Sequence, residues 1–353
     1  MRYLLGSIKN KFPFRMSSSS PVLSNRVESF GSQSDDPSYL ATVQSIQSLS
    51  PTVKQFYLSI HDPQKTFRFQ SGMFLDFYFP STITSIVTGF SICNSPLNYA
   101  QTHSIELAIK ETNYPPTDHM FNRCQVNDEV HVKPGGEFFY DSSLTKNDSI
   151  LLLCAGIGAN PIVSILRHLS DLYQTKNFDR IPSRIAFFYT AAREEDLVFR
   201  SSIDVSCQQL IKENLLRTNY FVTKEIHTDS KINYRRMNPT DLQHAIHWLD
   251  KPVTTYLCGP SSFLTSMETL LKELNVKNIF YEKWWWIECL SFLFFFSLSM
   301  SFKWSNINNY FYVHVNQYYF HNAHLSSERT SDKVHVNMRR EWRTPTHYSF
   351  SLH

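Results

Sequence analysis

Glycine is scarce in this chain, with only 9 residues in 353, where average composition would give roughly 25. Because glycine has no Cβ atom, it is the residue that a left-handed turn or a close approach to a ligand requires. A chain that uses so few is expected to keep them where a side chain would obstruct a turn or a ligand. The glycines in turn-like contexts are Gly72, Gly89, Gly135, Gly136, Gly156, Gly158 and Gly259.

The cysteines have none of the spacings that bind metal. There are 6 of them, with no C-x-x-C pair and no cluster with histidine at zinc-binding spacing. No metal or iron–sulfur site is therefore expected. The apolar segment and cleavage site of a secretory signal are also missing, which favours reduced thiols over disulfides.

Charge of one sign is not in large excess either. The formal net charge is +3 at pH 7, which is too small to indicate a nucleic-acid partner. With 42% hydrophobic and 18% charged residues, the composition is that of a globular protein. The length is enough for two domains of about 100 to 200 residues each.

Residues 1–37 are basic and rich in serine. The first acidic residue is Glu28, and five basic residues and a serine run at 17–20 precede it. This composition is typical of a mitochondrial transit peptide, so it predicts a mitochondrial location. The alternative is a disordered basic tail without a targeting role.

Residues 286–353 have a different character from the rest. The segment 289–302 is apolar and serine-rich, and the stretch after it is rich in Asn, Tyr, His and Ser without a usable period. The apolar segment is short for a membrane span, which needs about 20 residues. Two interpretations stay open: a membrane anchor, or a tail that is not part of the fold.

Between these ends the hydrophobic pattern changes once. In 38–148, short β-branched and aromatic runs separated by turn residues predict an antiparallel barrel or sandwich. In 149–285, strands alternate with segments long enough for helices, which predicts a parallel sheet with helices on both faces. The predicted strands are 41–46, 53–60, 73–79, 90–93, 105–110 and 129–132, then 150–155, 184–190, 220–224, 254–258 and 278–281.

Two glycine-bearing turns follow buried strands in the second half. Residues 151–161, LLLCAGIGANP, run from a strand through Gly156 and Gly158 into a helix that has Pro161 in its first turn. Such a turn suits a pyrophosphate, because glycine lets the backbone approach and the helix N-terminus attracts anions. Residues 255–260, TYLCGP, end another strand with Cys258 at the edge where open α/β sheets bind ligands.

These motifs together resemble the ferredoxin–NADP reductase-like superfamily in order and spacing. The resemblance adds 189–196 (YTAAREED), 71–74 (SGMF) and 89–92 (GFSI). Residues 135–138 (GGEF) and 280–285 (FYEKWW) are most similar to the oxidoreductase NAD-binding domain-containing protein 1 family. The resemblance implies a β + α/β fold: a six-stranded antiparallel flavin-binding β-barrel at 38–148 and a parallel α/β NAD(P)-binding domain at 149–285.

The resemblance also implies a role for each motif residue. Ser91 would bond near flavin N5 and Cys258 would sit against the nicotinamide, so these are the catalytic candidates. Arg193 would contact the adenosine ribose or its 2′-phosphate. The expected cofactor contacts, for FAD and NAD(P)H together, are Phe90 (stacked on the isoalloxazine), Ile92, Gly135, Gly136, Gly156, Ile157, Gly158, Asn160, Pro161, Arg193, Gly259 and Pro260.

One departure from the family pattern concerns the flavin. The flavin motif of the family begins with an arginine that pairs with the pyrophosphate, and this chain has Thr88 there. A neutral hydroxyl removes a charge-assisted contact, which Arg123 or Lys110 would have to replace. The choice between NAD and NADP is also open, because Arg193 favours a 2′-phosphate and its acidic neighbours oppose one.

The resemblance therefore implies a flavin-dependent NAD(P)H oxidoreductase that passes electrons to a separate acceptor. Such chemistry needs no catalytic triad or carboxylate pair, because the cofactors carry it. The alternative is an NAD(P)-binding module that has lost flavin and redox turnover. A third interpretation, a membrane-anchored reductase, depends on the segment after residue 285.

Overall fold

The computed structural model describes residues 38–61, 66–84, 86–143, 148–227, 229–250 and 252–282, together with four short backbone strands beyond 285. The predicted transit peptide and the apolar segment 289–302 lie outside the described residues. In the described part of the chain, no helix has the length and hydrophobicity to cross a membrane.

The first domain is an antiparallel sheet of six strands in the order β4-β3-β6-β1-β2-β5. The edge strands β4 and β5 meet at a single bridge between Ile92 and Leu107, so the sheet curls until its two edges touch. The predicted six-stranded antiparallel architecture is confirmed. The strands are β1 Tyr39–Ser50, β2 Val53–His61, β3 Phe74–Tyr78, β4 Thr88–Ser91, β5 Ser104–Lys110 and β6 Glu129–Gly135.

Apolar side chains that alternate along the strands fill the space inside this curled sheet. Phe56 and Leu58 of β2 face Leu75 and Phe77 of β3 in one buried cluster, because residues two apart in a strand share a face. Two short helices lie between strands: α1 (Pro96–Thr102), which Ser95 caps, and α2 (Pro115–Asp118), which runs into a π-helical turn at His119–Arg123.

The second domain is a parallel sheet of six strands in the order β10-β9-β8-β7-β11-β12. The first strand, β7, is buried along its whole length, as expected for a central strand covered on both faces. The short strand β10 was not predicted. The strands are β7 Ser149–Ala155, β8 Ile185–Ala191, β9 Leu216–Val222, β10 Ile232–Asn233, β11 Val253–Cys258 and β12 Asn278–Glu282.

Helices cover both faces of the parallel sheet, as predicted. Leu152 of β7 packs in one core with α3, α4 and α5, whereas Leu151 packs in the opposite core with α6 and α7. The helices are α3 Ala159–Gln174, α4 Arg200–Ser206, α5 Gln208–Lys212, α6 Pro239–Leu249 and α7 Ser261–Glu273.

The tail contains two antiparallel strand pairs that the sequence analysis did not predict. They are β13 Trp286–Ile287 with β14 Phe311–Tyr312, and β15 His324–Thr330 with β16 Lys333–Arg339.

Two neighbouring threonines of β11 provide a matched test of buried hydroxyl groups. Thr254 donates to Asp148 Oδ2 at 3.0 Å, whereas the buried Oγ1 of Thr255 has no hydrogen-bond partner among the described residues. Thr255→Val should therefore raise the free energy of unfolding by about 1 kcal/mol, and Thr254→Val should lower it by a similar amount. Urea unfolding of both variants checks this, and a destabilised Thr255→Val protein would contradict it.

His168 of α3 gives the fold a pH dependence. Its ring lies 6.0 Å from that of Tyr140, and its Nδ1 has no partner in the described part of the chain. Burial, with a smaller contribution from the charge of Arg180, lowers the pKa of His168 to about 4 from its usual 6.5. The unfolded chain therefore takes up this proton first as the pH falls.

Stability from His168 is consequently complete above about pH 6.5 and declines towards about pH 4, by up to roughly 3 kcal/mol. We expect His168→Gln to flatten this part of the profile of unfolding free energy against pH. Urea unfolding over that range measures it, and an unchanged slope in the variant would contradict the assignment.

Candidate functional site

The two glycine turns lie side by side at one edge of the parallel sheet. Strands β7 and β11 are neighbours in register, with Cys154 opposite Cys258. The chain leaves β7 towards β8 on one side, while β11 lies on the other. Such a reversal of strand order marks the place on the carboxyl edge at which open α/β sheets bind ligands.

The three glycines of these turns have different roles. A Cβ atom on Gly158 would lie 2.6 Å from Cα of Gly259, and one on Gly259 would lie 2.9 Å from Cβ of Ala155. These two glycines therefore allow the turns to touch. Gly156 has φ +54°, and a Cβ atom there would meet nothing within 4 Å, so only Gly156 faces open space.

A helix N-terminus completes this turn. Residues Gly156–Gly158 form one 3-10 turn that leads directly into α3, and Ile157 packs on the core beneath it. The first N–H groups of a helix have no intrahelical partner and attract anions. The open side of Gly156 and these N–H groups fit a pyrophosphate.

Asn160 and Pro161, by contrast, are both buried in the first turn of α3. Asn160 is only 4% exposed, and its Nδ2 donates to the carbonyl of Ala108 in the first domain at 2.7 Å. The NH2 group of Asn160 is thus engaged at the interface between the two domains, whereas its buried Oδ1 has no partner among the described residues. A contact between Asn160 and a dinucleotide stays a prediction.

A buried carboxyl group, which the sequence analysis missed, lies next to Cys258. Glu282 ends β12 and is paired in register with Cys258, and the two residues are 5% and 1% exposed. Burial, reinforced by the charge of Glu282, raises the pKa of Cys258 well above its usual range. Cys258 is therefore a protonated thiol at neutral pH, suited to contact rather than to nucleophilic attack. Only the parallel register of β11 and β12 reveals this pair.

Arg193 follows β8 at the same sheet edge, surrounded by carboxylates. It is exposed and pairs with Glu195 at 3.2 Å. Arg200 pairs with Glu194 at 3.1 Å and with Asp229 at 2.7 Å. Each arginine at this edge is thus already matched to at least one carboxylate.

In the first domain, the flavin motif faces inwards more than expected. Phe90 is paired with Leu75 and shares its core-facing side, and its ring lies edge-on to Phe77 at 4.9 Å. Ile92 is fully buried in the same core. Alternation along β4 puts both side chains in the core, and the contacts of Phe90 and Ile92 with a flavin stay predictions. Ser91 lies on the other side of the strand.

Thr88, which stands where the flavin motif of the family has an arginine, is buried. Thr88 and Tyr114 are each 4% exposed, and burial raises the pKa of the Tyr114 hydroxyl. Of the two cations considered as substitutes, Arg123 is 70% exposed and pairs with Asp118 at 2.7 Å, and Lys110 lies at the end of β5.

The glycine pair at the end of β6 accommodates an aromatic ring. Gly136 has φ +99°, and a Cβ atom there would lie 2.8 Å from the ring of Phe74; for Gly135 the corresponding distance is 3.1 Å. Both glycines therefore provide space for Phe74, which pairs in turn with Ser91.

Comparisons with known proteins agree with this architecture. Residues 147–311 match the family model of the ferric reductase NAD binding domain. Among solved structures, the CS-b5R domains of human Ncb5or in the NAD+ form give a TM-score of 0.57 at 21% identity, covering 70% of each chain. A ferredoxin NADP+ reductase from Neisseria gonorrhoeae with bound FAD and NADP gives 0.54 at 18%, covering 70% of this chain and 99% of that one. These structural likenesses show a shared fold.

Sequence identity is higher with two curated relatives, both named oxidoreductase NAD-binding domain-containing protein 1. The protein of Bos taurus is 33% identical over 258 residues, which cover 69% of this chain and 80% of the relative. The protein of Homo sapiens is 34% identical over 256 residues, which cover 69% and 79%. The chain therefore belongs to the oxidoreductase NAD-binding domain-containing protein 1 family, with the two-domain fold of ferredoxin–NADP reductase-like oxidoreductases.

Proposed function

We propose that this protein is an NADH-dependent flavoprotein oxidoreductase that passes electrons to a separate acceptor. The observation that carries the proposal is the carboxyl edge of the parallel sheet. There the open turn at Gly156 lies beside Cys258 and Glu282. When bound, the nicotinamide and the flavin would supply hydride transfer between them.

The chain's own residues would bind and orient the dinucleotide. The backbone of the Gly156 turn and the N-terminus of α3 would hold the pyrophosphate. Cys258 keeps its proton on Sγ, because burial raises the pKa of the thiol, so a nicotinamide at this strand end would meet a neutral group and not a thiolate. Glu282, buried beside it, would contribute an acceptor for the carboxamide.

A second candidate function is favoured by the first domain. Thr88 is enclosed with Tyr114, and Phe90 is packed in the core, so the chain's own side chains fill two positions expected to serve a flavin. An NAD-binding module without redox turnover is the alternative that this observation supports. Of the other positions expected to serve a flavin, Ser91 lies on the opposite side of β4, and Gly135 and Gly136 give space to Phe74.

The visible spectrum of the purified full-length protein separates the two functions. The oxidoreductase is expected to be yellow, or to become so after incubation with FAD, and to bleach when NADH is added without oxygen. A protein that stays colourless with FAD yet binds NADH would overturn the oxidoreductase in favour of the binding module. A protein that binds neither cofactor would contradict both.

A mitochondrial location is a further part of the proposal, supported by the basic, serine-rich composition of residues 1–37. A fluorescent fusion of the full chain should colocalise with a mitochondrial marker. A fusion without residues 1–37 should lose that location, and retention would contradict the targeting role.

The acidic surroundings of Arg193 predict a preference for NADH over NADPH. A 2′-phosphate near Arg193 would meet Glu194, Glu195 and also Glu225, which accepts from the backbone N–H of Glu194 at 2.7 Å. We expect NADPH to bind at least about tenfold more weakly than NADH, or roughly 1.4 kcal/mol, at low ionic strength.

Glu195→Gln should narrow this gap by freeing Arg193 for the phosphate. Glu213→Gln removes the same charge from an exposed residue at the end of α5, so it serves as the control and should leave the preference unchanged. Titration of both cofactors by calorimetry measures the effect. Equal affinity in the unmodified protein would contradict the prediction.

A further inference from the structure

Four polar side chains form a stripe along α3. Asn160, Ser164, Arg167 and Asp171 are spaced by four, three and four residues, and residues at this spacing lie on one face of a helix. The remaining faces of α3 are mostly apolar and packed in the core of the second domain. We call these four residues the α3 stripe.

Every member of the α3 stripe bonds to the first domain. Asn160 donates to Ala108 O at 2.7 Å, and Ser164 donates to Asn94 O at 2.8 Å. Arg167 donates to Cys93 O at 3.0 Å and to Glu106 Oε2 at 2.7 Å. Asp171 accepts from the hydroxyl of Ser95.

The partners of the stripe are not scattered over the first domain. Cys93, Asn94 and Ser95 follow Ser91 of the flavin motif almost directly, and three of the four stripe residues bond to them. The helix that carries the stripe starts at the Gly156 turn. One rigid element thus connects the nucleotide turn to the segment after the flavin motif.

The bonds are also shielded from water and directional. The side chains of Arg167 and Glu106 are 15% and 8% exposed, and Gln55 donates to the second oxygen of Glu106 at 2.7 Å. Ser164 is fully buried and also accepts from the N–H of Gly72 at 3.3 Å. An apolar interface could hold two domains together but could slide, whereas a buried network of directional hydrogen bonds favours one register. Oδ1 of Asn160 is the one buried polar side-chain atom of the stripe that has no partner among the described residues.

From this arrangement we propose that the α3 stripe is a positioning device for the reaction, with Ser164 and Arg167 as positioning residues. It sets the distance and orientation between the Gly156 turn and the Ser91 segment. Because a displacement of about 1 Å can cost on the order of a hundredfold in rate, loosening this contact should slow flavin reduction without weakening NADH binding. The inference rests on the proposed oxidoreductase function.

A matched pair of serines on the same helix tests the proposal. Ser164 bonds across to the first domain, whereas Ser170, equally buried, bonds to Ser206 O within the second domain at 2.7 Å. In stopped-flow reduction of the flavin-loaded full chain, Ser164→Ala should lower the limiting rate at saturating NADH at least tenfold, with the Kd for NADH within twofold. Ser170→Ala should leave both values unchanged.

The double variant Arg167→Met with Glu106→Gln, which removes both charges, should likewise lower the limiting rate while the Kd for NADH stays within twofold. Arg167→Lys, which keeps a cation at this position, should retain part of the rate that the double variant loses. Equal effects of Ser164→Ala and Ser170→Ala, or a loss that appears only in Kd, would overturn the positioning role.

A second measurement does not depend on turnover. In hydrogen exchange, the amides of residues 92–95 should lose protection in Ser164→Ala and keep it in Ser170→Ala. If NADH never reduces the unmodified protein, the proposed function is wrong. The exchange pattern still tests whether the α3 stripe fixes the contact between the two domains. Unchanged protection in Ser164→Ala would overturn it.

Discussion

Gly158→Ala is expected to yield no stably folded protein. The new Cβ atom would lie 2.6 Å from both Cα and N of Gly259 and 2.7 Å from the carbonyl carbon of Cys258. All three are backbone atoms in the middle of the sheet edge, so neither turn can yield without separating β7 from β11. We expect a loss of more than about 3 kcal/mol, a large part of the net stability of a domain.

Gly156→Ala, two residues earlier, is the matched control. Its Cβ atom meets nothing within 4 Å, and φ of +54° costs alanine about 1 to 2 kcal/mol, so the protein should fold. Its affinity for NADH should fall at least about tenfold, because the methyl group enters the space assigned to the pyrophosphate. Circular dichroism and calorimetry measure both effects. A folded Gly158→Ala protein, or a Gly156→Ala protein with unchanged NADH affinity, would contradict this division of roles.

Arg167→Met should produce the second large effect, on stability. It leaves the carboxylate of Glu106 buried, with Gln55 as its remaining side-chain hydrogen-bond donor. Breaking a buried ion pair by removing one partner costs about 3 to 5 kcal/mol, whereas replacing both charges costs much less.

The control for this prediction is the double variant Arg167→Met with Glu106→Gln, which should recover most of the loss. Urea unfolding of the three proteins measures the differences. A single variant as stable as the unmodified protein, or a double variant no better than the single one, would show that the charges are not effectively buried.

The local parts of this architecture could be predicted from the sequence. The run at 151–161 combines a buried strand, a glycine turn and a helix with proline in its first turn, and each of these signals acts within a few residues. The alternation in the first half likewise gave six strands close to their observed bounds. The change of pattern after residue 148 also gave the order of the two domains, and the resemblance added the cofactors expected for each.

Other features depended on contacts between distant parts of the chain. In β4, Thr88, Phe90 and Ser91 are all buried, so the sequence pattern does not indicate which side chains face the core. The packing of Phe90 against Phe77 could not be predicted from it. Asn160 closely follows Gly156 and Gly158 in sequence but bonds to Ala108, 52 residues away. Glu282 acquires its place only when β12 pairs with β11.

The glycines at this edge illustrate a second limit of the sequence pattern. All three glycines were expected to serve a dinucleotide, because each follows a strand at the binding edge. The structure shows that Gly158 and Gly259 are required by each other and by Ala155, whereas Gly156 alone borders open space. A close approach between two backbones and a close approach to a ligand select the same residue type.

The most direct test of the central claim is a crystal structure of the full chain with NAD+ bound. The account predicts that the pyrophosphate lies against the open side of Gly156, within hydrogen-bond distance of the N–H groups of the turn Gly156–Gly158. It also predicts that the nicotinamide contacts Cys258 and Glu282. A dinucleotide bound at any other edge of the sheet, with the Gly156 turn untouched, would contradict it.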